Sequence, residues 1–322
     1  MPSNYSRLWY SPGKMFPRRC ICFLLLFLAI PLLLGAKVKK PKDLVIYREG
    51  FLEVVSPDKV SVADCKEAAK MVFEAWKFDL SVMHWAPTKE MNRPLTLQVR
   101  MLGGKHQGVR ASADQNGNRF TMNLFVLLRD RSGPRTLAHE LAHTQAFRVL
   151  GKRVQSVPNY FIEGHGLMLD RLYADHLRLS SPKDWIGVVS IQAFMTMSPK
   201  TAEIIFTDRN YGDKQKDPKN HFDINSMGVY LVEYMRTRVN GKGIPDAVPK
   251  MGRVFEQVGR GKTYEQAFKD VYGVSVNQVA SQIVELFKRT ESNPAERFRG
   301  TRFEADAMAV AEKSFSNGIG PR

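Results

Sequence analysis

Apolar and polar positions change period several times along this chain. The first feature is an apolar run from Cys20 to Leu34 that carries no charged residue. Next come Leu44-Val45-Ile46-Tyr47 and Phe51-Leu52-Glu53-Val54-Val55, two short β-rich runs that predict a hairpin turning at Glu49-Gly50. From Ser61 the period lengthens. Ala69, Val72, Phe73 and Trp76 recur on one helical face, Ser61 is the N-cap, and the helix should reach Asp79 or Met83. Pro94 to Met101 alternates apolar with polar residues and predicts a strand, ended by Gly103-Gly104. Two more runs, Gly108 to Asp114 and Phe120 to Val126, flank Asn116-Gly117, a dipeptide suited to a tight hairpin turn.

After Ser132 the pattern is helical. Ser132-Gly133-Pro134 opens a helix whose apolar face carries Leu137, Leu141 and Phe147 and which Gly151 ends. A short connection leads to a second helix, about Tyr160 to Leu179. The stretch from Leu179 to Asn225 is mixed, with an apolar segment at Trp185–Ile191 and a polar, irregular segment from Asp208 to Asp223. Helices are predicted over Asn225–Arg238, Val248–Gly259, Thr263–Tyr272 and Ser275–Arg289, the third capped by Thr263 with Gln266 at the box position. Beyond Asn293-Pro294 the pattern weakens into a basic tail with a short helix near Ala305–Lys313. Strands first and helices afterwards make an α+β chain. Its expected organisation is a leader over 1–36, an amino-terminal subdomain over 37–178, a helical subdomain over 179–290 and a basic tail over 291–322.

Composition supports a globular body: 322 residues, 43% hydrophobic and 25% charged. The leader differs in kind. Lys14, Arg18 and Arg19 precede the apolar run, and Gly35-Ala36 ends it. This reads as a signal peptide or an uncleaved signal anchor. Pro31 interrupts the run, which is shorter than the about 20 residues a spanning helix needs. The protein is therefore expected outside the cytoplasm: periplasmic, secreted, or anchored to the membrane through this segment. The net charge of +16 comes from scattered basic residues. They are either solvated surface or a means of contact with a membrane or other anionic envelope surface. No motif points to nucleic acid. Cys20 and Cys22 lie in the leader, which leaves Cys65 as the one other thiol, expected to be structural and buried.

The chemistry concentrates in Thr136-Leu137-Ala138-His139-Glu140-Leu141-Ala142-His143-Thr144-Gln145. Residues four apart share a helix face, so His139 and His143 can offer two imidazoles to one ion. Glu140 stays beside the ion without occupying it, where a carboxylate can take a proton from a water held there. This H-E-x-x-H arrangement is the helix signature of zinc sites in metallopeptidases. A catalytic zinc needs a third protein ligand. Glu163, in Tyr160-Phe161-Ile162-Glu163-Gly164-His165-Gly166, follows after enough chain to finish one helix, turn, and bring the next one back. One zinc per chain is expected, with Gly164 and Gly166 keeping side chains out of a crowded cleft.

These two motifs, His139–His143 and Pro158–Gly164, resemble the gluzincin group of metallopeptidases, nearest the bacterial peptidase MA-like families. The second motif of those families reads roughly P-x-W-[LI]-x-E-G-x-A, and Tyr160 stands where Trp is common. Ser226–Arg236 resembles the helix that backs such sites, and Thr263–Val279 resembles their helical ending. The likeness covers about residues 90 to 290. It implies a zincin-like fold: a small mixed sheet, an HExxH helix, a glutamate helix and a helical carboxyl half. It implies zinc-dependent hydrolysis of peptide bonds in a peptide or protein substrate, with His139, His143 and Glu163 as ligands and Glu140 as general base. It also implies an edge strand beside the cleft, for which Phe120–Val126 is the candidate by position, the other reading of that run being a core strand. Some gluzincins carry an Asp four residues after the ligand Glu to orient a histidine. Here Leu167 takes that place, and Asp170 lies a turn further on. His165 is either a helper beside the site or a local structural residue. A Tyr or His to stabilise the oxyanion is expected from Tyr211, His221 or Tyr230, the last more suited to packing. Two other readings remain open at this stage: a zinc-binding protein of this fold with little peptidase activity, and a basic envelope-binding module in which the motif residues are structural.

Overall fold

The computed structural model describes residues 43–101, 111–179, 191, 194–208 and 218–316. The leader over 1–36, the Trp185 segment up to residue 190 and Tyr211 lie outside the described residues. Asp43–Arg322 groups as one compact unit.

The chain is α+β, with a five-stranded mixed sheet followed by helices. Strands β1 (Leu44–Glu49) and β2 (Leu52–Ser56) form the expected antiparallel hairpin, turned by Gly50 at φ 52°. Helix α1 (Val62–Val82) crosses over to β3 (Leu95–Arg100), which runs parallel to β2. Ser61 caps α1 by accepting the Asp64 amide at 3.0 Å. Strands β4 (Ala111–Ala113) and β5 (Arg119–Asn123) form the second hairpin, with β5 parallel to β3 on its other side. The order is β1-β2-β3-β5-β4. Leu52, Val54, Leu95, Leu97, Val99, Phe120 and Met122 bury one face of the sheet beneath the helices.

Two expectations change here. Residues 124–126 are not strand: Leu124–Arg129 is a short helix, α2. An unbroken apolar run fits either period, and the Asn123 side chain decides it by accepting the Phe125 amide at 3.0 Å. Nor is β5 an edge. It is paired on both sides, and among the described residues the edge strands are β1 and β4.

Helix α3 (Gly133–Leu150) is buried on almost every side, lying between the sheet, α1, α2 and the helices that follow. Ser132 does not cap it; its hydroxyl donates to Asp130 instead, at 2.8 Å. A 3-10 turn (Gly151–Ser156) leads into α4 (Asn159–His176). Then come α5 (Pro199–Thr207), α6 (Pro218–Thr237), α7 (Ala247–Gly259), α8 (Tyr264–Tyr272), α9 (Val276–Arg289) and α10 (Glu304–Ser316). Because α6 begins at Pro218, residues 218–223 are helical and not part of an irregular stretch. Residues on both sides of 178 share one hydrophobic core. The basic tail is packed: Phe298 and Phe303 are buried, and the Arg297 guanidinium donates to the carbonyls of Phe194 and Met197 at 2.9 and 3.0 Å.

Candidate metal centre

The first motif helix is pinned at both ends, to α4 at its start and to the loops beside the sheet at its finish. In the first turn of α3, Arg135 Nε donates to Asp170 Oδ1 of α4 at 2.9 Å, with both side chains about 95% buried. At the carboxyl end of α3, Arg148 donates to the carbonyls of Gly117, Arg93 and Pro94 at 2.6, 3.0 and 3.1 Å, and also to that of Met91. Gly117 sits at φ +64°, where a Cβ would come within 2.6 Å of the Thr144 carbonyl oxygen. The Asn116-Gly117 turn thus rests directly on the helix. On the other side of α4, Gly164 meets Gly228 of α6. A Cβ at Gly164 would lie 2.5 Å from the Gly228 Cα, and one at Gly228 would lie 1.8 Å from the Tyr160 carbonyl oxygen. The helices cross on bare backbone.

Between α3 and α4, His139, His143 and Glu163 converge, with one donor atom from each lying within 4.8 Å of the others. The two Nε2 atoms are 2.9 Å apart, and Glu163 Oε2 is 3.6 Å from His139 Nε2 and 3.5 Å from His143 Nε2. Three ligand atoms on a tetrahedral zinc, each at about 2.0–2.1 Å, would lie about 3.3 Å from one another. The triangle is of that size, and its donors are two imidazoles and a carboxylate, so these residues fit a zinc ion.

Gly166 makes room for the rings. A Cβ there would come within 3.0 Å of Cε1 of both His139 and His143. The two glycines therefore do different things: Gly164 admits α6, and Gly166 admits the imidazoles.

The electrostatics of the metal-free site follow from this crowding. Burial works against a charged His139, but the Glu163 carboxylate, reinforced by Glu140 and Asp170, raises its pKa to about 9. Burial likewise works against a charged Glu163, yet the charges and hydrogen bonds of His143 and His139 hold its carboxyl well below the usual range. In the metal-free site the two groups thus stabilise each other as a charged imidazolium–carboxylate pair.

The remaining candidates separate clearly. Glu140 is half-buried on α3, next to the first ligand. His165 is fully buried against the rings of Trp85 and Phe255, at centroid distances of 5.7 and 5.1 Å. Neither of its ring nitrogens has a hydrogen-bond partner. Burial, together with the nearby His143 and His139, keeps it neutral, so it packs as an aromatic residue. Leu167 is core, and Asp170 serves Arg135. Tyr230 is buried against Phe194, and its hydroxyl donates to the Arg297 carbonyl at 2.6 Å, so it does not reach the site as an oxyanion donor. His221 lies in the first turns of α6, and its side chain is outside the described residues. Cys65 is buried as expected.

Three supporting residues were not singled out from the sequence. Gly228 had a signal, since a glycine inside an otherwise apolar helix marks a close approach. Arg135 and Arg148 had none, because an arginine on a helix usually reads as surface. Comparison with protein-family profiles, with curated protein sequences and with solved structures returns no match for this chain.

Proposed function

We propose that this chain is a zinc-dependent metallopeptidase of gluzincin type with a zincin-like fold, acting on a peptide or protein outside the cytoplasm. The observation that carries the reading is the triangle of two histidine nitrogens and one glutamate oxygen, 2.9 to 3.6 Å on a side, built across two interlocked helices. His139, His143 and Glu163 would hold the ion. When bound, zinc acts as a Lewis acid on the scissile carbonyl and lowers the pKa of water toward neutrality. Glu140 then takes the proton of the attacking water and passes it to the leaving amine. The short strand β4, at one edge of the sheet among the described residues, is the one to which an extended substrate would add as a further strand. Arg135 and Asp170 hold the helices in register, and Gly166 leaves the imidazoles free to turn toward the ion.

Purified protein should contain about one zinc per chain, as a single three-ligand site requires. Glu140→Gln should keep that zinc and lose about 10²-fold or more of peptide hydrolysis. Absence of zinc after metal-replete expression would overturn the reading. One observation favours a second reading, a zinc protein with little peptidase activity: Tyr230 is committed to the Arg297 carbonyl and does not serve as an oxyanion donor. Stoichiometric zinc with no cleavage across a broad peptide library would select it.

A further inference from the structure

Large apolar side chains exposed on the surface are few, and five of them gather at one end of the sheet. Leu44 is 63% exposed, Val62 52%, Met101 53% and Phe125 63%, with Val45 beside Leu44 at 46%. Strand register brings them together. Leu44 opens β1 opposite Ser56 at the end of β2. The Ser56 hydroxyl donates to Val99 near the end of β3, and Met101 follows two residues later. Arg100 pairs with Asn123 at the end of β5, and Phe125 is two residues beyond. The loop from Ser56 leads directly into Val62, at the start of α1, and Asp58 of that loop accepts the Met101 amide. Arg129 of α2 reaches Asp64 of α1 at 3.9 Å and closes the group.

The same end of the sheet is where the chain arrives from its most apolar segment. Residues 35–43 connect the Cys20–Leu34 run to Leu44, and a chain of that length spans at most about 30 Å. That connection carries Lys37, Lys39, Lys40 and Lys42, and Lys59, Arg100, Arg129 and Arg131 are exposed around the apolar side chains. Asp58, Asp64 and Asp130 are interspersed, so attraction to anionic headgroups is modest and apolar contact dominates. Among the described residues no helix is long and apolar enough to cross a membrane. A surface of this kind suits the interfacial zone of a bilayer, where side chains enter about 5–10 Å and basic residues meet headgroups.

We propose that this end of the sheet, formed by Leu44, Val62, Met101 and Phe125, lies on a phospholipid bilayer held close by the apolar segment at Cys20–Leu34. The contact is independent of the metal-site reading. It orients the folded unit on the membrane with the carboxyl ends of the parallel strands facing lipid.

The test uses the full chain reconstituted into vesicles of phosphatidylcholine with a minority of phosphatidylglycerol. Cys20 and Cys22 are replaced by Ser, buried Cys65 is left in place, and a polarity-sensitive dye is attached at Phe125→Cys. A control chain carries the dye at Leu177→Cys, another exposed apolar position at the carboxyl end of α4. In vesicles the dye at 125 should shift to the blue and lose several-fold of its accessibility to aqueous iodide. The dye at 177 should change in neither respect. A melting temperature and circular dichroism matching the unlabelled chain show that the fold is kept, and a dye at Met101→Cys gives a second reading should the Phe125 variant fail to fold. Water-like emission at both 125 and 101 in vesicles overturns the proposal. So does a blue shift that appears in detergent without lipid and grows with protein concentration, because a second copy of the chain would then be covering the patch.

Discussion

Gly166 is the smallest residue in the metal site and one of the most constrained. Its missing Cβ leaves the space in which His139 Cε1 and His143 Cε1 lie. Gly166→Ala should therefore twist both rings away from a common point. Zinc affinity, measured by chelator competition, should fall about tenfold or more while the helix content stays the same. Protons and metal compete for the same atoms. In the metal-free chain the pKa of His139 is raised from 6.5 to about 9, so its contribution to stability is complete below pH 6.5 and is lost as pH rises through about 9. Glu163 is depressed below 4.5, so its contribution is present above pH 4.5 and is lost as pH falls through its folded value. Melting temperatures of the metal-free chain should thus be flat from about pH 4.5 to 6.5 and decline on either side. Zinc should remove the alkaline decline, because the ion displaces the proton from His139. That His139 and His143 face one point was legible from spacing alone, since i and i+4 on a helix leaves little freedom. The residues that serve them were not. Arg135, Asp170 and Arg148 act across 31 or more positions, and no local pattern encodes such pairings.

Between elements, the decisive contacts are buried and polar or have no side chain at all. The Arg135–Asp170 pair ties the start of α3 to α4. Removing one partner leaves a charge stranded in the core, so Arg135→Met should cost about 3–5 kcal/mol in urea denaturation. Changing both, to Met and Leu, should recover most of that loss. Most elements could be foreseen from period and caps. The failures were local and had a single kind of cause. Residues 124–128 are apolar throughout and so carry no period, and a capping Asn123 turned them into helix. Residues 218–223 are mostly polar and show no helical period, and α6 nonetheless extends over them.

At the scale of the whole molecule, one core runs from the sheet to the carboxyl-terminal segment. Phe298 packs on Phe194 and Tyr230 at centroid distances of 4.9 and 5.7 Å. Phe298→Ala should cost about 3–5 kcal/mol without changing zinc stoichiometry below the melting temperature. The extent of this core has a second result. The folded state should therefore persist without a bound ion, unlike in small metal-dependent domains. Stripping the ion with a chelator should leave the far-ultraviolet circular dichroism unchanged and lower the melting temperature only by the loss of ligand binding.

The Gly164–Gly228 crossing also imposes an order in time. A chain made from its amino terminus presents His139 and His143 early and Glu163 soon after. Yet α4 is seated by α6, and Gly228 arrives only much later. On the proposed metal-binding reading, His139 and His143 alone would give an ion only a weak, two-point hold until then. Capture should become firm once the later helix closes on the earlier one, so that the ion taken is the one present where folding ends.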